Sequence, residues 1–158
     1  MSASCAVSIA DAPAMEALGG ALAEQGRRGQ CIHLIGPLAA GKTTFARGYL
    51  RALGHTGAVK SPTFTLVETY VLARATVHHF DLYRLADAAE LEFIGIDDYF
   101  DGRADQLVEW PERGVGVLPA PSVAARIAVS GNTRVVTLEG LDEPGSEAVS
   151  RIKNLYKT

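Results

Sequence analysis

The run Gly36-Pro37-Leu38-Ala39-Ala40-Gly41-Lys42-Thr43 constrains this chain more than any other feature. It matches G-x-x-x-x-G-K-[ST], a loop whose successive backbone N–H groups turn inward around phosphate oxygens. Such a loop works between a buried strand and the start of a helix. The helix adds unpaired N–H groups and the positive end of its dipole. Both flanks are present here. Cys31-Ile32-His33-Leu34-Ile35 is a short, mostly apolar run of the kind that forms a buried parallel strand. Beyond the loop, Phe45, Tyr49, Ala52 and Leu53 share one face of a predicted helix, and Gly54 stands where a C-terminal cap belongs. With residue frequencies taken as independent, the pattern would arise by chance about 0.005 times in a chain of this composition.

The residue types in the loop define a chemistry. Gly36, Leu38, Ala39, Ala40, Gly41 and Thr44 supply the bend and the backbone amides that cradle phosphates. Lys42 reaches the β- and γ-phosphates as a mobile point charge. The Thr43 hydroxyl is placed to ligate Mg²⁺. Two positions are unusual. Pro37 has no N–H and removes one phosphate donor. Ala39 occupies a site where many phosphate loops carry glycine; at positive φ, alanine costs about 1 kcal/mol or more.

Metal-assisted phosphoryl transfer also needs carboxylates to hold Mg²⁺ or its waters and to orient the attacking water. Two acids stand where an open α/β sheet gathers its ligands, at the carboxyl ends of strands. Glu109 follows the apolar Leu107-Val108 near the end of the predicted strand over residues 106–110, which Pro111 stops. Asp81 follows the predicted strand over residues 76–80. An exposed acid at a strand end is common, but beside a phosphate loop the metal or water role is the favoured reading for each. His78 and His79 are adjacent, so a strand sends them to opposite faces and they form no metal site by themselves. His79 reads as structural or as a support for Asp81. Cys31 reads as an inert small hydrophobe.

The rest of the chain supplies a frame. A helix is predicted from Asp11, which caps it, with Pro13 in its first turn and Ala14, Leu18, Ala21 and Leu22 on one face. Residues 63–72 read as a strand beside residues 76–80. Asp87 and Glu90 form a capping-box-like start to a short helix ending at Phe93. Strands near 123–130 and 133–139 flank Gly131-Asn132, a two-residue hairpin signal. A last helix is expected from Glu147. Helix and strand alternate first and β-rich pairs follow. That order predicts an α/β fold in three layers, with a mixed, partly parallel sheet and an antiparallel edge.

Composition narrows the class further. At 158 residues and 16.7 kDa, one domain over residues 1–158 is expected, large enough to bury a core without a disulfide or metal staple. Hydrophobic residues at 47% and charged residues at 21% exclude a disordered chain. A net charge of −3 argues against an autonomous nucleic-acid binder, so RNA would be reached through a local patch or a partner. Two cysteines are too few for a disulfide framework and fit a reducing compartment. No apolar run approaches a membrane span, and the start has no secretory signal pattern, so a cytoplasmic location is expected.

Four blocks of sequence together resemble a known family. They are Gly36-Pro37-Leu38-Ala39-Ala40-Gly41-Lys42-Thr43-Thr44-Phe45, Ser61-Pro62-Thr63-Phe64-Thr65-Leu66-Val67-Glu68, His79-Phe80-Asp81-Leu82-Tyr83-Arg84-Leu85 and Leu107-Val108-Glu109-Trp110-Pro111. In this order they resemble the TsaE (YjeE) family, small P-loop ATPases of bacterial threonylcarbamoyladenosine tRNA modification. Residues 90–96 (ELEFIGI) are similar to it as well. The resemblance implies a P-loop NTPase-like fold, binding of ATP and Mg²⁺, and slow ATP hydrolysis. It implies work alongside TsaB and TsaD, which carry out the transfer, with tRNA met through that complex. Thr43 and Glu109 would be the metal-side residues. Asp81 would act near the γ-phosphate or its water, making Lys42, Asp81 and Glu109 the catalytic set. Residues 61–65 would form a switch sensing the γ-phosphate, and Trp110 would lie near the nucleotide or that switch. The family usually reads Asp and Gly where this chain has Pro37 and Ala39.

Two other functions share the loop. A small-molecule kinase would need an acceptor pocket and an arginine-bearing lid, and no lid is evident. A nucleotide-responsive adaptor would use the loop without turnover. A guanine-specific switch is disfavoured because no Asn-Lys-x-Asp run is present. Thr63 and Thr65 read as ordinary strand threonines unless the switch resemblance holds, and Trp110 as a stacking platform for a base or as a rim anchor. Arg84, Arg47 and Arg51 read as solvated, with the Arg47/Arg51 pair on the exposed face of its helix.

Overall fold

The computed structural model describes residues 2–62 and 64–157. Four parallel strands form the centre of the sheet: β2 (Cys31–Ile35), β4 (Thr76–Asp81), β5 (Asp105–Glu109) and β6 (Val123–Ser130). Three further strands, β1 (Ser4–Ile9), β3 (Val67–Val71) and β7 (Thr133–Gly140), add on antiparallel. The order across the sheet is β1-β7-β6-β2-β5-β4-β3, so both edges, not one, are antiparallel. Strand β2, which feeds the phosphate loop, lies between β5 and β6. Its Leu34 is paired with Glu109.

The helices follow from local signals. Helix α1 (Ala12–Gln25) starts at Asp11, whose Oδ1 accepts from the Ala14 N–H at 3.0 Å, with Pro13 in the first turn. Helix α2 (Lys42–Ala52) ends as a Schellman motif: His55 N–H donates to Leu50 O and Gly54 N–H to Arg51 O, with Gly54 at φ 108°. The two helices cross at close range because Gly19 and Gly48 have no side chain. A Cβ on Gly19 would lie 2.1 Å from Phe45 O, and one on Gly48 2.0 Å from Glu16 O. Helices α3 (Glu90–Phe93) and α4 (Ile96–Tyr99) are single turns. Glu90 accepts from the Asp87 N–H at 2.8 Å, half of the expected capping box. Helix α5 (Glu143–Leu155) begins one turn before Glu147. Asp142 caps it through the Gly145 N–H at 2.7 Å, and Pro144 follows, the same Asp-x-Pro start that opens α1.

The sheet divides the core in two. One face packs Ile32, Leu34, Leu107, Val123 and Val136 against Leu18 and Leu22 of α1, Phe45 and Tyr49 of α2, and Val149 and Ile152 of α5. The other packs Phe80 and Val108 under Leu82, Leu91 and Ile96, from α3, α4 and the chain around them. The three layers follow from this division, with α2 against the face from which the odd-numbered residues of β4 and β5 project.

Some boundaries differ from the sequence reading. The strand expected over residues 63–72 begins only at Val67. Phe64 and Thr65 form a turn, and Leu66, at φ 66°, breaks extension while its carbonyl accepts from the Asp81 N–H at 2.9 Å. Thr65 is therefore an exposed turn residue, and Thr63 lies outside the described residues. Trp110 is not in β5; it sits at φ 59° and opens a 3₁₀ turn over Pro111–Gly114. Strand β1 was not legible as an element. Its buried Cys5, Val7 and Ile9 alternate with small residues that carry little strand preference. Arg47 and Arg51 do not stand free in solvent: both pair with Glu16 of α1, at 3.3 and 2.7 Å.

Candidate functional site

The loop between β2 and α2, the ends of β4 and β5, and the residues following them surround a cavity of about 330 Å³. Its lining includes Leu38, Ala39, Ala40, Gly41, Lys42, Thr43, Thr44, Ser61, Asp81, Tyr83, Glu109 and Trp110. Residues 61, 81 and 109 are remote in sequence from the loop, and only the parallel order β2-β5-β4 brings them beside it. Gly36 is not on the wall; its carbonyl instead accepts from Lys42 Nζ at 2.5 Å.

Ala39 takes the positive φ that its position suggested, 61°. Gly41, at φ 117°, turns the chain into α2, and the Phe45 N–H closes the first helical turn on Gly41 O at 2.9 Å. Lys42 is buried. Its Nζ donates to Gly36 O and to Pro37 O at 2.8 Å and lies 4.1 Å from the centroid of the Trp110 ring. Burial lowers the Lys42 ammonium from its ordinary pKa, an effect opposed by Glu109, Glu112 and Asp81.

The two acids have different surroundings. Glu109 meets the loop directly: Thr43 Oγ1 lies 2.9 Å from its Oε2 and 3.1 Å from its Oε1. A third group, expected from the sequence beside the other acid if at all, completes this contact. His79 Nε2 lies 2.7 Å from Glu109 Oε2, so His79 supports Glu109 and not Asp81. Asp81 is held elsewhere, with Oδ1 accepting from the Tyr83 N–H at 3.0 Å and Oδ2 from the Ser61 hydroxyl. That last contact ties Ser61 to the end of β4. In register Asp81 pairs with Glu109, so both carboxylates project from the same face toward α2.

Trp110 stands over Lys42 and beside Tyr83, on the cavity wall. Arg84 is exposed and stacks on Phe64 at 4.9 Å. Cys31 is buried, and burial pushes its thiol up to about 12, which removes it as a nucleophile.

A second cavity, of about 220 Å³, shares Ala39, Ala40, Gly41 and Thr44 with the first and extends to Asp11, Met15, Asn132 and Arg134. Arg134 Nε donates to Ala40 O at 3.1 Å, so the β6–β7 hairpin braces the outer side of the loop. No sequence signal linked residues 94 apart. The hairpin pattern located the turn but not what it touches.

The arrangement can hold a polyphosphate against the loop with a divalent cation between it and Thr43 and Glu109. Among the described residues, no group of three or more His, Cys, Asp or Glu side chains could hold a metal ion. Mg²⁺ commonly takes one or two protein ligands and fills its shell with phosphate oxygens and water, and the Thr43 hydroxyl and Glu109 carboxylate could supply that number.

Comparison with known proteins agrees with this geometry. The family model for threonylcarbamoyl adenosine biosynthesis protein TsaE matches residues 9–136. The tRNA threonylcarbamoyladenosine biosynthesis protein TsaE of Haemophilus influenzae is 46% identical over 123 residues, covering 78% of each chain. The protein of the same name from Synechocystis is 41% identical over 109 residues, 66% of this chain and 69% of that one. The crystal structure of Bacillus subtilis YdiB superposes with a TM-score of 0.84 at 25% identity, over 99% of both chains. The seven-stranded mixed sheet is thus a P-loop NTPase-like fold, and the chain belongs to the TsaE family of tRNA threonylcarbamoyladenosine biosynthesis proteins.

Proposed function

We propose that this protein is a Mg²⁺-dependent ATPase of low turnover that serves threonylcarbamoyladenosine modification of tRNA together with TsaB and TsaD in the cytoplasm. The observation that carries the reading is the contact between Thr43 and Glu109. A phosphate loop alone binds phosphates. A loop hydroxyl in contact with a buried strand-end carboxylate forms the metal side of a hydrolytic site. Bound Mg²⁺ would neutralise charge on the β- and γ-phosphate oxygens. The loop amides and Lys42 would fix the phosphates, with Nζ exchanging the Gly36 and Pro37 carbonyls for phosphate oxygens. Asp81, on the cavity wall beside Ser61, would accept a hydrogen bond from the attacking water and orient it. The adenosine would leave the loop past Thr44 into the second cavity, between Met15 and Asn132.

Two features support a partner-dependent role over a self-sufficient kinase. Among the described residues that line the cavity none is an arginine, and one of them, Leu38, is an exposed apolar side chain. Partner identity rests on the family, and the cytoplasmic location on the family and on the two free cysteines, which fit a reducing compartment. Contact with tRNA is assigned to the complex, since the chain carries a net charge of −3.

Phosphate release measured with and without TsaB and TsaD tests the reading. Slow release by the protein alone, stimulated in the complex and lost in Lys42→Ala, is the expected result. Partner binding that responds to ATP with no phosphate released under any condition would make the protein an adaptor. Phosphorylation of an added small acceptor without partners would make it a kinase.

A further inference from the structure

We propose that His79 is a positioning residue: its imidazole holds the Glu109 carboxylate against Thr43 and thereby sets the metal-dependent part of nucleotide binding. The inference rests on the Mg²⁺–ATP reading above.

Glu109 is nearly fully buried, and its Oε2 is gripped from two sides, by His79 Nε2 at 2.7 Å from the sheet and by Thr43 Oγ1 at 2.9 Å from α2. A carboxylate only accepts, so the ring proton at this contact sits on His79 Nε2. With Oε2 pinned, the carboxylate plane cannot rotate freely, and Oε1 stays turned toward Thr43 and the loop. The sheet explains why residue 79 can do this. On β4, His79 is opposite Leu107, while Glu109 is opposite Asp81, so His79 and Glu109 are diagonal neighbours on the face toward α2. His78 projects from the other face, with its Nδ1 at 2.8 Å from Thr69 Oγ1 and its ring against Tyr99.

A purely structural role fits poorly. His79 is fully buried, yet its Nδ1 is without a hydrogen-bond partner. An apolar side chain at this position would fill the same space without an orphaned nitrogen. What the imidazole adds is the hydrogen bond to Glu109. Asp81 has its own anchors in Tyr83 and Ser61, so loss of His79 acts on one acid and not the other. Groups that orient metal ligands in this way commonly change metal affinity when removed.

The test is calorimetric ATP binding with saturating Mg²⁺ and with EDTA, where the ratio of the two affinities is the metal gain. His79→Leu is expected to lower that gain about 10-fold or more, with affinity in EDTA unchanged. His79→Gln, which keeps an N–H near the position of Nε2, is expected to retain most of the gain. In a Glu109→Gln background, His79→Leu is expected to add no further loss, because the two residues act as a unit. His79→Met, equally without a donor, carries the same comparison should His79→Leu fail to fold. Equal losses for His79→Leu and His79→Gln, or an undiminished loss in the Glu109→Gln background, would overturn the proposal while leaving the ATPase reading intact. A wild-type protein with no metal gain would overturn both, and that result is visible before any His79 variant is measured.

Discussion

The Lys42 ammonium lies under the Trp110 ring, 4.1 Å from its centroid, while it donates to the carbonyls of Gly36 and Pro37. The charge proposed to meet phosphate is therefore held by the loop's own carbonyls and by an aromatic face. Phosphate binding has to draw Nζ out of this arrangement. Trp110 is the only tryptophan in the chain, so its emission reports the event. A fluorescence titration with ATP should show a saturable change in Trp110 emission. Lys42→Ala should alter the emission of the free protein and weaken ATP binding by about 10- to 100-fold, the loss of a charge-assisted hydrogen bond. A folded Lys42→Ala protein that binds ATP as wild type does would remove the loop from the function.

Ala39 carries the loop's backbone strain, at φ 61°. Glycine at this position removes the Cβ clash, though it gains entropy in the unfolded chain. Ala39→Gly should raise unfolding stability by up to about 1 kcal/mol and tighten nucleotide binding, because the loop reaches its phosphate-binding shape without strain. Urea denaturation and ATP titration check the two effects separately. A variant no more stable than wild type would show that the surrounding loop already absorbs the strain.

The unlike surroundings of Glu109 and Asp81 predict unlike defects. Glu109→Gln removes charge beside Thr43 and should weaken Mg²⁺-dependent ATP binding together with turnover. Asp81→Asn leaves Thr43 and Glu109 untouched and should lower turnover with ATP affinity near wild type, because an interaction made mainly in the transition state acts on rate. Parallel binding and phosphate-release measurements decide. The reverse pattern would exchange the two roles.

His33, in the central strand β2, predicts a pH dependence of stability. Its Nε2 is buried without a partner, and burial pushes its pKa from 6.5 down to about 4. The fold favours the neutral ring, so the unfolded chain binds more protons between these values. Its contribution is fully present above pH 6.5 and is lost as the pH falls through about 4. The gap corresponds to an upper bound of about 3 kcal/mol. Urea unfolding at pH 7.5 and pH 5 should show the wild type losing more stability than His33→Gln, which does not titrate. Equal losses in the two proteins would show that His33 is hydrated in the fold.

The sequence by itself determined whatever depends on neighbours along the chain. The phosphate loop, its strand and its helix were legible because glycine, lysine and threonine at fixed spacing meet local demands on φ, charge and hydrogen bonding. The cap at Asp11 and the hairpin at Gly131-Asn132 were legible for the same reason, and the start of α5 at Asp142 could have been read from its Asp-x-Pro pattern. Asp81 and Glu109 were legible as strand ends, though not their partners. The tertiary structure alone decided that His79 supports Glu109, that Ser61 meets Asp81, that Arg134 braces Ala40 and that Arg47 and Arg51 close on Glu16. It also placed Trp110 outside its strand and over Lys42. Each of these contacts joins residues far apart in the chain. Their meeting depends on strand order, on register and on the close crossing of α1 and α2 at Gly19 and Gly48, and no local periodicity encodes those three.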